Sequence, residues 1–125
     1  MRTVKFDNKD YPLLGTGQTS IIMMDELHCD IFISATEFID SIVNKDRMPS
    51  TSLTSKLMYA LIKTANPDAF HTYEQFMSST RKLVPFVEAD NLKALLDEVT
   101  DMYSQDEEDK AEEADTSKKK KAESN

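Results

Sequence analysis

Apolar and polar residues alternate at the start of the chain. Val4 and Phe6 lead into the polar stretch Asp7-Asn8-Lys9-Asp10, and Tyr11 and Leu13 follow it. A period of two on either side of a polar turn predicts a β-hairpin. Pro12 has no amide hydrogen for a ladder bond and fits only an edge strand. Two strands alone are marginal in water, so the hairpin must pack on helices or on a neighbouring chain. Gly15 and Gly17 then mark a turn, and beyond them the period changes.

Thr19 or Ser20 caps a first helix to about Leu27, with a strand as the alternative because Ile21 and Ile22 are β-branched. Ser34 and Glu37 have capping-box spacing, and Phe38, Ile39, Ile42 and Val43 recur behind them at helical intervals. Ser52 caps a third helix with a broad apolar face (Leu53, Leu57, Met58, Ala60, Leu61, Ile62), stopped by Asn66-Pro67. This is the expected central core helix. Thr72 and Gln75 form another box, for a short helix through Tyr73, Phe76 and Met77 to about Lys82, and Pro85 separates it from the next. The last helix starts near Glu88 and Asp90, where acids suit the positive end of the dipole. Leu92, Leu95, Leu96, Val99, Met102 and Tyr103 continue it at i, i+3, i+4 spacing. Leu61 and Leu96 are the core positions expected of the central and last helices. The fold class is therefore mainly α with a short N-terminal β-hairpin (α+β).

Composition divides the chain near Ser104. From Gln105 to Asn125 the only apolar residue type is Ala, in an acidic stretch Asp106 to Asp115 followed by Lys118 to Lys121. Such a segment cannot bury enough surface to offset roughly 1 to 2 kcal/mol of backbone entropy per residue, so the expectation is a domain over 1–104 and a disordered charged tail over 105–125. The chain carries -8, from 23 Asp plus Glu against 15 Lys plus Arg, and the tail holds eight of the acids and five of the lysines. The remaining -5 makes residues 1–104 acidic in their own right, which argues against a nucleic-acid or anionic-membrane partner. The longest apolar run, Leu57 to Ile62, falls far short of the roughly 20 residues of a membrane span. With a single cysteine, Cys29, and no signal-peptide pattern in Met1 to Asp10, the expected location is a reducing cytoplasm.

No catalytic or cofactor pattern stands at its required spacing in the sequence. Gly15-Thr16-Gly17 lacks both the third glycine of a dinucleotide fingerprint and the Lys-Ser or Lys-Thr of a P-loop, and reads as a turn. His28, Cys29, Asp30 and His71 are of metal-ligating type but have no CxxC or HxxxH spacing. A Cys29 and His71 catalytic pair is of the kind that any chain with one Cys and two His offers, and a lone Cys usually serves as a small buried hydrophobe. The expectation is a non-enzymatic protein without cofactor or metal. Seven methionines are many for 125 residues. Met repacks around varied apolar partners, so Met23, Met24, Phe76, Met77 and Met102 are the candidate partner-binding residues, against the alternative that they fill the core.

The order of features resembles a known family. A hairpin is followed by a helix closed by Tyr59-Ala60-Leu61-Ile62-Lys63-Thr64-Ala65-Asn66-Pro67-Asp68, then by a capped short helix, an amphipathic last helix and a charged extension. Residues 1–104 thereby resemble the tail assembly chaperones of long-tailed bacteriophages, in which a core helix ends in a similar Tyr-Ala-Leu-Lys-Ala-Asn-Pro-Asp pattern. The resemblance implies a protein of the bacterial host's cytoplasm that coats the long helical tape measure protein, keeps it soluble and helps recruit tail tube subunits. Separately, a hairpin too small to stand alone could pair edge to edge between subunits, so a weak homo-oligomer is a further expectation. The reading set against the chaperone role is an acidic inhibitor that imitates nucleic acid to block a host enzyme.

Overall fold

The computed structural model describes residues 1–117, with side chains as far as Tyr103. Strands β1 (Thr3–Phe6) and β2 (Lys9–Pro12) pair antiparallel, with Val4 opposite Tyr11 and Phe6 opposite Lys9. The turn is tighter than the four polar residues suggest. Asp7 and Asn8 alone make it, at φ 52° and 66°, the left-handed pair that a two-residue hairpin turn demands and that Asp and Asn tolerate. Val4 and Phe6 face inward and are buried.

Five α-helices follow among the described residues: α1 (Gly17–Leu27), α2 (Ile31–Ile39), α3 (Thr51–Ala65), α4 (Tyr73–Ser79) and α5 (Ala89–Ser117). A π-helical turn, Asp40–Asn44, extends α2, and a 3-10 turn, Val84–Phe86, precedes α5. Three helices start earlier than their periodicity suggests. Thr16, not Thr19 or Ser20, caps α1, accepting from the Gln18 amide at 3.0 Å, while Thr19 Oγ1 accepts from the Thr16 amide at 3.1 Å. Asp30 caps α2 through the Ile33 amide at 3.1 Å, and Ser34, expected as the cap, is buried inside the helix. Ser50, not Ser52, caps α3 through the Leu53 amide at 3.0 Å. In each case the residue with extended backbone just ahead of the helix takes the cap. Thr72 caps α4 as expected, but α4 ends at Ser79, before Lys82.

The core is organised around α3, whose residues Leu57 to Ile62 are all fully buried. An amphipathic surface helix would show a polar side every turn, and α3 does not because α1, α2, α4 and β2 all pack around it. Phe76 of α4 sits among aromatic rings, 5.0 Å from Phe70, 5.5 Å from Phe6 and 5.8 Å from Tyr59 between centroids. Leu95 and Val99 close the core from α5, whereas Leu96 is only half-buried against it. The helix continues beyond Ser104 to Ser117, into the segment that composition assigns to a tail, and the remainder of that tail, 118–125, lies outside the described residues.

Candidate partner-binding surface

The five sequence candidates fall into different environments. Met23 is fully buried on the inner face of α1, and Phe76 is fully buried in the aromatic cluster, so neither has surface to offer and both are corrected to core residues. The 3.6-residue period decides this for the methionine pair. Met23 and Met24 are 100° apart, so when one meets α3 the other turns outward. Met24 is 49% exposed. Met77 and Met102 are partly buried against the core.

Met102 belongs to a groove of about 480 Å³ between the start of α1, the inner edge of α2 and α5. Its apolar lining includes Ile31, Phe32, Ala35, Val99 and Tyr103, with Gly15, Thr16, Gly17 and Ser20 supplying the polar rim. The Phe32 ring meets that of Tyr103 edge-on, 6.1 Å between centroids, so two aromatic side chains form one wall. Phe32 is 63% exposed and Ile33 68%. Ile21 and Met24 on α1 are also exposed, so each of the two packed helices leaves two large apolar side chains uncovered.

Phe32 and Ile33 escaped the methionine argument but not the sequence. Ile31-Phe32-Ile33 are consecutive apolar residues at a helix start, and at 100° per residue they cannot all face one core. Only Ile31 packs against the core. Val43, expected inside with Ile42, is also exposed: consecutive helical residues point about 100° apart, and Ile42 takes the inward position.

The residues of catalytic or ligating type have structural work. Gly15-Thr16-Gly17 is a helix entry. The Gly15 amide donates to Glu98 Oε2 at 2.9 Å, so this turn presents its amide to a carboxylate of the chain itself. His28, at φ 56°, ends α1 in the left-handed conformation, Cys29 donates through Sγ to the Leu27 carbonyl at 3.2 Å, and Asp30 starts α2. The trio is the corner between two helices. Among the described residues, no three His, Cys, Asp or Glu side chains gather where they would hold a metal ion.

One polar network is partly buried. The Tyr59 hydroxyl donates to Glu26 Oε1, and Lys63 Nζ donates to Glu26 Oε2 at 2.8 Å, to Tyr59 Oη at 3.1 Å and to the His71 carbonyl at 2.8 Å. All three ammonium hydrogens of Lys63 are thereby engaged. Burial, reinforced by the bond to Glu26, pushes the Tyr59 hydroxyl up to about 12. Burial raises the Glu26 carboxyl, but the bonds from Lys63 and Tyr59 outweigh it and hold the group below its ordinary value. The same bonds outweigh burial at Lys63 and keep its ammonium above its usual range. Glu26 and Lys63 therefore both stay charged at neutral pH and tie α1 to α3 and to the loop after it.

No family model, curated protein or solved structure matches this chain. No helix among the described residues is long and apolar enough to cross a membrane.

Proposed function

We propose that this chain is a tail assembly chaperone of a long-tailed bacteriophage. In the host cytoplasm it binds the tape measure protein, keeps that elongated helical partner soluble and helps recruit tail tube subunits. The observation that carries the reading is the uncovered apolar surface of Ile21, Met24, Phe32 and Ile33 beside the Met102 groove, on a chain with net charge -8. An apolar surface of that kind serves association, and the charge keeps the free protein dispersed. A helix laid on it would bury side chains worth about 1.5 to 3 kcal/mol each, so a few anchors repeated along a long partner hold many copies without any one contact being tight. The reading as an acidic mimic of nucleic acid calls for carboxylates spread over the exposed face. Here Phe32 and Ile33 stand at the exposed start of α2.

The test is co-expression with the protein encoded by the long gene expected to follow this one. A soluble complex of the two on size exclusion, where the partner alone is insoluble, is the expected result. A partner that stays insoluble beside ample soluble chaperone contradicts the proposal.

A further inference from the structure

We propose that the outer face of α1 and α2 docks an amphipathic helix whose apolar stripe is flanked by lysines and arginines. The proposal rests on the binding reading above and gives the partner's chemistry.

Charge is segregated along this chain. From Gly17 to Asn44, the whole of α1, α2 and the π-helical turn, there are five acids and no Lys or Arg. The acids follow the exposed apolar residues on each helix. On α1, Asp25 lies one turn beyond Ile21 and beside Met24. On α2, Glu37 and Asp40 lie one to two turns beyond Phe32 and Ile33, and all four border one shallow hollow of about 400 Å³ with Thr36. At 1.5 Å per residue, the carboxylates stand about 6 to 12 Å along the helix from the apolar pair.

Cations from other elements reach only part of this face. Lys63 holds Glu26 at 2.8 Å and Lys45 holds Asp40 at 3.3 Å. Lys56 of α3 borders the neighbouring hollow with Asp30 and Glu37. Asp30 is occupied as the cap of α2, and among the described residues Asp25 and Glu37 have no ion-pair partner. A complementary helix therefore presents apolar anchors to Phe32, Ile33 and Met24, and cations one turn further on. The anchors supply most of the affinity and the cations choose the partner. A second copy placing this same face against itself would set acid against acid, which the charge pattern opposes.

The probes are three labelled 18-residue helical peptides, read by fluorescence anisotropy against the full chain. One has a leucine stripe flanked by lysines, the second the same stripe flanked by glutamates, and the third lysines with serines in place of the leucines. The lysine-flanked leucine peptide is expected to bind at least tenfold tighter than either control. Phe32→Ser with Ile33→Ser, both exposed positions, should weaken it at least tenfold while leaving the melting curve in place. Ile21→Ser with Met24→Ser gives an independent check on the α1 half, and Glu37→Lys should cut the preference for lysine over glutamate flanks. Raising salt should shrink that preference but not the effect of the serine variants.

Equal binding of lysine- and glutamate-flanked peptides overturns the proposal, as does wild-type affinity in both serine variants. So does light scattering that shows a dimer of the free chain dissolved by the Phe32 and Ile33 changes, because the face then belongs to a second copy. The chaperone reading is tested separately. Peptide binding as expected alongside failed co-expression removes the phage role and keeps this face, and the reverse pattern removes the face and keeps the role.

Discussion

Asn91, on the first turn of α5, pairs with the backbone of Lys5 as a neighbouring strand would: its Oδ1 accepts from the Lys5 amide at 3.0 Å and its Nδ2 donates to the Lys5 carbonyl at 3.1 Å. The same Nδ2 donates to the Pro85 carbonyl at 2.9 Å, and the residue is only 3% exposed. One amide side chain thus joins the hairpin, the 3-10 turn and the last helix. This supplies the support that a two-stranded hairpin lacks by itself.

Replacing Asn91 by Ala leaves the Lys5 amide and the Lys5 and Pro85 carbonyls without these bonds at a part-buried site, where an unsatisfied group costs up to about 1 to 3 kcal/mol. Asn91→Ala should destabilise the fold by about 2 to 4 kcal/mol in urea unfolding. Asn91→Asp should not rescue it, since a carboxylate has no hydrogen to give the Lys5 and Pro85 carbonyls. An Asp variant of wild-type stability would contradict the assignment.

Gly15 lies against Met102. A Cβ at Gly15 would overlap Met102 Cγ and Sδ. Gly15→Ala should cost about 1 to 3 kcal/mol by overpacking, softened to the extent that the flexible thioether moves. Combining it with Met102→Ala should recover part of that cost, giving a coupling energy above about 0.5 kcal/mol in a double-mutant cycle. Strict additivity would show that the two do not touch.

The Glu26, Tyr59 and Lys63 network makes stability depend on pH at both ends. Glu26 has a folded value below its unfolded 4.5, so its contribution is present above that value and is lost as pH falls through the folded one. Tyr59 is raised from 10.0 to about 12 and Lys63 is raised above 10.5, so their contributions hold at neutral pH and fade as pH climbs from about 10 towards 12. Glu26→Gln should flatten the acid limb of a plot of urea midpoint against pH and bring the Tyr59 titration down towards 10. An unchanged acid limb would show that Glu26 does not couple to folding.

Leu61→Ala should cost about 2 to 5 kcal/mol, because Leu61 is fully buried in α3 and its removal leaves a cavity. Leu96→Ala should cost less. Leu96 is half-buried and borders an open groove with Ile42 and Pro49, where water can replace the lost atoms. Equal costs would contradict this difference in burial.

Beyond Ser104 the sequence holds no apolar residue larger than Ala, so it has no large side chain to bury. A chain ending at Ser104 should melt within a few degrees of the full chain, given that about 1 kcal/mol moves a domain of this size by roughly 4 to 8 °C. A larger fall would show that the C-terminal segment packs on the domain.

Much of the fold was legible because the strongest signals are local. The hairpin follows from alternation at Val4 and Phe6, the end of α3 from Asn66-Pro67, and the start of α4 from Thr72 and Gln75. Helix starts were less legible wherever several Ser, Thr or Asp residues compete, as between Thr16, Thr19 and Ser20. A cap needs extended backbone, and the Gly15 turn that provides it is fixed by distant contacts with Glu98 and Met102. The candidate surface was read from residue type, and type cannot separate Met23 from Met24. Helical phase can, and it also picks out Phe32 and Ile33 once the helix start is set at Ile31.

The central claim is that copies of this chain line an elongated helical partner. Light scattering of complexes formed with two tape measure segments, one twice the length of the other, tests it most directly. The account predicts that the longer segment carries about twice as many copies, and that Phe32→Ser with Ile33→Ser removes them from both. A single copy on each segment would contradict it, and complexes that ignore the Phe32 and Ile33 changes would move the contact to another face.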